Sequence, residues 1–172
     1  MANGASRKLF WSIVVTVIVL DLVTKLIVVR ALPARMPVVG DWVTFQLVYN
    51  PGAAFGIHVG SYSRWVFTIL AVIALFVLGA MVRQTDPSHK VRIAALALVC
   101  GGAVGNLIDR IRSGRGVVDF IDVGIGAVRW PTFNVADMAV TCGAVTLALV
   151  LWVEGREAER RTEQEKAAPA AP

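Results

Sequence analysis

The chain has 172 residues, 56% of them hydrophobic and 17% charged, with a net charge of +5 and a mean hydropathy of +0.67. The apolar share exceeds the ~45–50% usual in soluble domains, and the charges are bunched between apolar runs, which excludes an ordinary soluble fold. The length permits one domain, and anionic lipid headgroups account for the basic surplus without nucleic acid.

Arg7 and Lys8 precede the apolar run Leu9 to Leu20, as in a signal sequence. No small-x-small cleavage site follows. Asp21 and Lys25 interrupt, Leu26-Ile27-Val28-Val29 continue, and the segment reads as an uncleaved first span over 9–29. Asp21 and Lys25 are four apart, so they share a helix face and can pair. A buried ion pair that fixes packing is favoured over a proton relay, because an internally paired lysine is poorly placed to exchange protons.

The connection over 30–63 has strand character. Asp41-Trp42-Val43-Thr44-Phe45-Gln46-Leu47-Val48-Tyr49 alternates and is rich in β-branched and aromatic residues. Asn50-Pro51-Gly52 then turns the chain. A second span over 64–82, a polar turn from Arg83 to Lys90 and a third span over 91–108 follow; about 20 apolar residues suffice to cross a bilayer. Gly101 and Gly105 form a G-x-x-x-G that lets another backbone approach closely. At the end of this span stand Asn106, Asp109 and Arg110. Asp109, beside Arg110 and Arg112, is expected to be charge-paired and architectural. Arg110 serves either as structure or as a planar fork for a substrate carbonyl or headgroup phosphate.

The connection over 109–134 carries Val117-Val118-Asp119-Phe120-Ile121, also strand-like. Asp119 lies between Val-Val and Phe-Ile and needs solvent or a partner; Asp122, on the opposite face, reads as an ordinary exposed residue. Asn134 is expected to cap a fourth span over 135–153, which places Asp137 in its first turn, where the helix dipole favours a carboxylate. The domain is thus 1–153. The tail, 154–172, alternates charges before ending in Ala and Pro, and is expected to start helical and finish disordered. Cys100 and Cys142 read as buried small hydrophobes.

Lys and Arg number nine on the side of the N-terminus, the short turn and the tail, against seven in the two long connections. The bias places both termini in the cytoplasm and both long connections outside. The expected architecture is an all-α membrane protein, a four-helix transmembrane bundle, with a small sheet on the outer leaflet drawn from both connections.

Carboxylates at a membrane edge are functional-site candidates by default, and two that converge suggest acid–base chemistry. Asp119 and Asp137 are that pair. His58 and His89 form no His-Glu-x-x-His pattern, so no zinc peptidase is indicated. Gly-x-Ser-x-Gly, Gly-x-Ser-Gly and the Gly-x-Gly-Asp of presenilin-like peptidases are absent from the sequence. A proton-coupled transporter is disfavoured by the lack of internal repeats; a lipid-binding scaffold is the other rival reading.

Five stretches in order resemble bacterial signal peptidase II, the lipoprotein signal peptidase family: Asp21-Leu22-Val23-Thr24-Lys25, Tyr49 through Gly56, Gly105-Asn106-Leu107-Ile108-Asp109-Arg110, Val117-Val118-Asp119-Phe120-Ile121 and Phe133-Asn134-Val135-Ala136-Asp137. The resemblance ends near Glu154. It implies a four-helix inner-membrane aspartic peptidase with a periplasm-facing dyad and a cradle-like sheet. It further implies, as substrate, a prolipoprotein whose cysteine carries diacylglyceryl, cut just before that cysteine. Membrane lipid and globomycin-type inhibitors are the other implied partners; no metal or organic cofactor is implied. Asp119 and Asp137 match the catalytic aspartates. Asn50, Gly52, Asn106, Arg110 and Asn134 match polar positions lining the site, Asp109 accompanies them, and Asp21 and Lys25 match the motif of the first helix.

Overall fold

The computed structural model describes residues 4–32, 35–52 and 60–167. Four helices are long and apolar enough to cross a membrane: α1 (Gly4–Ala31), α2 (Ser63–Gln84), α3 (Lys90–Arg112) and α4 (Val135–Ala167). Each extends beyond its apolar window into polar residues at one end or both, since Arg, Lys, Glu and Gln are good helix formers once a helix is nucleated. α4 runs on to Ala167, so the helical part of the tail is longer than a frayed start. Its residues from Glu154 onward are Glu-, Arg- and Ala-rich, which favours helix without any packing partner.

α3 is the central helix and touches the other three. Its glycines set the distances. A side chain at Gly101 would meet Val17 Cβ at 2.9 Å, and one at Gly105 would meet Asp21 Oδ2 at 2.7 Å, so the G-x-x-x-G faces α1. The nearest backbone belongs to α4 and lies over Gly102, where a Cβ would collide with the Ala136 carbonyl oxygen. α2 packs only loosely and leaves Ile69, Ile73 and Phe76 exposed, as expected of a lipid-facing helix. Around Phe10, Val14, Val82, Ile93, Leu96 and Ala97 the helices form their apolar core, at the end of the bundle away from Asp119. At that same end Ser6 Oγ donates to Pro87 O at 2.7 Å, and Glu154 accepts from Arg92 at 3.0 Å and faces His89 Nδ1 at 3.2 Å.

The long connections build one antiparallel sheet in the order β1-β2-β3-β4. β1 (Arg35–Val39) and β2 (Val43–Asn50) come from the first connection, β3 (Val117–Ile125) and β4 (Val128–Arg129) from the second. β2 was legible in its alternation and β3 in its β-branched and aromatic residues; β1 and the two-residue β4 were not. In the β2–β3 register Val48 faces Asp119 and Asn50 faces Val117, past a bulge between Phe45 and Val48.

Three expectations are corrected. Asp122 is buried, not exposed: Arg129 grips it through Nε at 3.0 Å and Nη2 at 2.8 Å, Thr44 Oγ1 donates at 2.8 Å, and Arg35 stands at 3.5 Å. The face opposite Asp119 is covered by these side chains instead of water. Cys142 is exposed, whereas Cys100 is buried, because Cys142 sits on the outward side of α4. Asp109 takes as its ion-pair partner Lys25, at 2.9 Å, and neither neighbouring arginine.

Candidate active site

The site lies where the ends of α3 and β2, the start of β3 and the first turns of α4 meet. Asn134 caps α4 from a fully buried position. Its Oδ1 accepts the Asp137 N–H at 2.9 Å, and Asp137 Oδ2 accepts the Asn134 N–H at 3.2 Å. This reciprocal pairing is a capping box with Asn and Asp in its two places. A third first-turn donor, the Ala136 N–H, goes to Asp21 Oδ1 at 3.0 Å. The start of α4 is therefore held by α1 as well as by its own cap.

Asp119 is 3% exposed. Asn134 Nδ2 donates to its Oδ1 at 2.7 Å and Asn50 Nδ2 to its Oδ2 at 3.1 Å. Asp137 Oδ1 accepts Asn106 Nδ2 at 2.8 Å. Asn134 thus touches both carboxylates, one through its amide and one through its backbone. Burial pushes the Asp119 carboxyl up to about 7, with the nearby Asp137 charge adding to the rise and the two amide donors and Lys25 opposing it.

A cleft of about 800 Å³ opens over the pair. Asn50, Asn106, Arg110, Asp119 and Asp137 line it, with Tyr49, Trp130, Thr132, Phe133 and Thr141. Gly52 and Asn134 do not line it; they act from behind. The Gly52 N–H donates to Asn50 Oδ1 at 3.0 Å, which turns the Asn50 NH2 toward Asp119, and the Gly52 carbonyl accepts Arg110 Nη2 at 3.2 Å. Arg110 also holds the Asn106 carbonyl, at 3.2 Å. Asp109 takes the Val118 N–H at 3.1 Å besides pairing with Lys25. Lys25 and Asp21 pair at 2.7 Å, as expected. Of the matching stretch that starts at Tyr49, residues 53–56 lie outside the described residues, as does His58.

The sequence reading missed two walls of the cleft. Trp130, Pro131 and Thr132 enter because Phe133 bonds back to β3, its N–H to Ile121 O at 3.0 Å and its carbonyl from Ile121 N at 2.8 Å. Met138 and Thr141 enter from α4; their signal was available, since Thr141 lies one helical turn after Asp137.

The chain is similar to known proteins along most of its length. The family described as Signal peptidase (SPase) II matches residues 13–153. The lipoprotein signal peptidase of Cupriavidus taiwanensis is 40% identical over 152 residues, 85% of this chain and 84% of that one. That of Syntrophotalea carbinolica is 40% identical over 154 residues, 88% of this chain and 95% of that one. Among solved structures, a bacterial membrane enzyme determined by the in meso method at 2.3 Å superposes with a TM-score of 0.78 at 31% identity, over 90% of this chain and 91% of that one. A second, at 1.9 Å, gives 0.73 at 32% identity, over 87% and 94%. With four membrane-capable helices, a family match across all of them and relatives that it matches nearly end to end, this chain belongs to the signal peptidase II family of multi-pass membrane proteins.

Proposed function

We propose that the protein is an intramembrane aspartic endopeptidase that removes the signal peptide from diacylglyceryl-modified prolipoproteins, cutting just before the lipidated cysteine. The observation that carries this reading is the convergence of Asp119 and Asp137 on one buried amide, Asn134, beneath a cleft walled by α4. Family membership supports the substrate: relatives along most of the chain are lipoprotein signal peptidases. With both termini in the cytoplasm, the sheet and the pair face the outer side of the inner membrane, where an exported, lipid-anchored cysteine would arrive.

The chemistry follows from the pair. One carboxylate, ionised, takes a proton from a water between them; the water attacks the carbonyl before the cysteine; the other carboxyl gives its proton to the departing amine side. Because the proton is shared, ionisation belongs to the pair. Arg110 lines the cleft next to the pair and supplies positive charge near the developing oxyanion. The acyl chains stay in lipid along the exposed apolar face of α4, where Met138, Val145 and Leu149 point outward.

The test is purified enzyme in detergent with a diacylglyceryl-modified substrate and its unmodified twin. Only the modified peptide should be cut. Asp119→Asn and Asp137→Asn, inserted and folded, should each lower turnover by at least about 10³-fold, since Asn keeps the shape but cannot exchange the proton. Turnover in either variant near that of the wild type would remove the dyad.

A further inference from the structure

Lys25 belongs to the first span, yet its ammonium stands one amide away from the candidate dyad. It is buried, and Nζ donates to Asp21 Oδ2 at 2.7 Å, Asp109 Oδ2 at 2.9 Å and Asn106 Oδ1 at 3.0 Å. Those three contacts use all three of its protons. An ammonium offers no acceptor, so the Asn106 carboxamide can meet it only through oxygen. The NH2 of the same amide then points away from Lys25, and it is this group that reaches Asp137 Oδ1 at 2.8 Å. The Asn134 NH2, turned by the Asp137 N–H on its own oxygen, adds a second donor to Asn106 Oδ1 at 3.0 Å. Positive charge on the oxygen end of a conjugated amide strengthens the donor at its nitrogen end.

We propose that Lys25 is a positioning residue of the dyad: docked on Asn106 Oδ1, it orients and polarises that amide so that Asp137 is held as the charge-bearing carboxylate and the shared proton stays on Asp119. This rests on the aspartic reading above and adds to it an acid and a base. Two independent features agree. Asp137 occupies the first turn of α4 and accepts a backbone N–H there, which favours negative charge. Asp119 is sealed into β3, where burial favours its neutral form and outweighs the opposing pull of the Asn50 and Asn134 amides and of the Lys25 charge. The charged groups around Asp137 are Asp119 from β3 and Arg110 from α3; behind Asn106 stand Lys25 and Asp21 from α1 and Asp109 from α3. Lys25 reaches the Asp137 carboxylate through the Asn106 side-chain amide, and Asp119 is joined to Asp137 through Asn134.

The experiment is the pH profile of kcat and KM with the lipidated substrate, per folded molecule, for the wild type, Lys25→Arg, Lys25→Met and the double variant Asp21→Asn with Lys25→Gln. The double removes one charge of each sign, so the net charge behind Asn106 is unchanged. It also keeps hydrogen-bonding groups in place, and it serves where the single does not fold. In Lys25→Met and in the double, the low-pH limb of kcat should move up by about one unit, so kcat on that limb falls about tenfold. KM should stay within about twofold, and Lys25→Arg should keep the wild-type limb. An unmoved limb in the double, or a change confined to KM, overturns the proposal and leaves Lys25 a packing strut. Failure of the wild type to cut, or persistent turnover in Asp119→Asn, would instead break the peptidase reading itself.

Discussion

At the scale of single residues the site is a problem in ordering amide groups. Asn50, Asn106 and Asn134 each have one end fixed by a donor: the Gly52 N–H, the Lys25 ammonium and the Asp137 N–H. Their NH2 groups are thereby committed to the two carboxylates. The Asp119 carboxyl, pushed up to about 7, is protonated below that value, and the proposed mechanism needs that proton. The expected outcome is that kcat/KM declines as pH rises through about 7 while the folded fraction, followed by circular dichroism, stays level. A profile flat to pH 9 would show that Asp119 is not the acid. Asp119 stood out as a candidate because a carboxylate inside Val-Val-Asp-Phe-Ile has no structural excuse. The burial of Asp122 was not legible: strand alternation correctly put it on the other face from Asp119, but the arginines that cover that face come from β1 and β4, which sequence spacing cannot bring together. Likewise Asp109 finds Lys25 at a separation of 84 in chain order while two arginines stand close to it in sequence.

At the scale of elements the hairpin from β3 to β4 is the piece that delivers the cleft's Trp130–Phe133 wall. It is riveted by Arg129, which bonds Asp122, Thr44 and the Asp41 carbonyl together. The Arg129 hydrogen bonds hold the Asp122 carboxyl below the usual carboxylate range. The sign follows: a depressed pKa in the folded state contributes stability above about pH 4 that is lost on further acidification. Arg129→Met should therefore cost about 3 kcal/mol near pH 7, the lower part of the range for breaking a buried pair because Arg35 remains. The difference in Tm from wild type should shrink as pH falls below about 4. An equal Tm at neutral pH would show the rivet to be slack. β2 could be read from alternation of apolar and polar residues, and β3 from its β-branched and aromatic run. β1 could not, because all five of its residues are exposed and no buried face imposes a period.

At the scale of the whole molecule, the bundle divides into a polar end that holds the site and an apolar end that holds the core. The four spans were readable from apolar length alone, since a bilayer leaves few alternatives to a helix. The extent of α4 was less readable, because Glu, Arg and Gln suit both an extended helix and a loose tail. Glu154 ties it to the rest of the bundle, meeting Arg92 and His89. Removing residues 158–172 should leave specific activity within about twofold and Tm nearly unchanged, as surface segments away from packed features usually do. A loss of more than tenfold in a membrane-inserted truncation would assign the tail a task.

The pairing of β2 with β3 also has a meaning in time. Asn50 and Asp119, joined across that pairing, are separated by two complete membrane crossings. As the ribosome delivers the chain, β1 and β2 are made first, and one edge of β2 stays unpaired until α2 and α3 have been synthesised. Loop closure over such a distance is slow compared with hairpin formation. Asp137 and its cap arrive later still, with the final span. The two halves of the proposed site thus remain strangers until synthesis is all but finished.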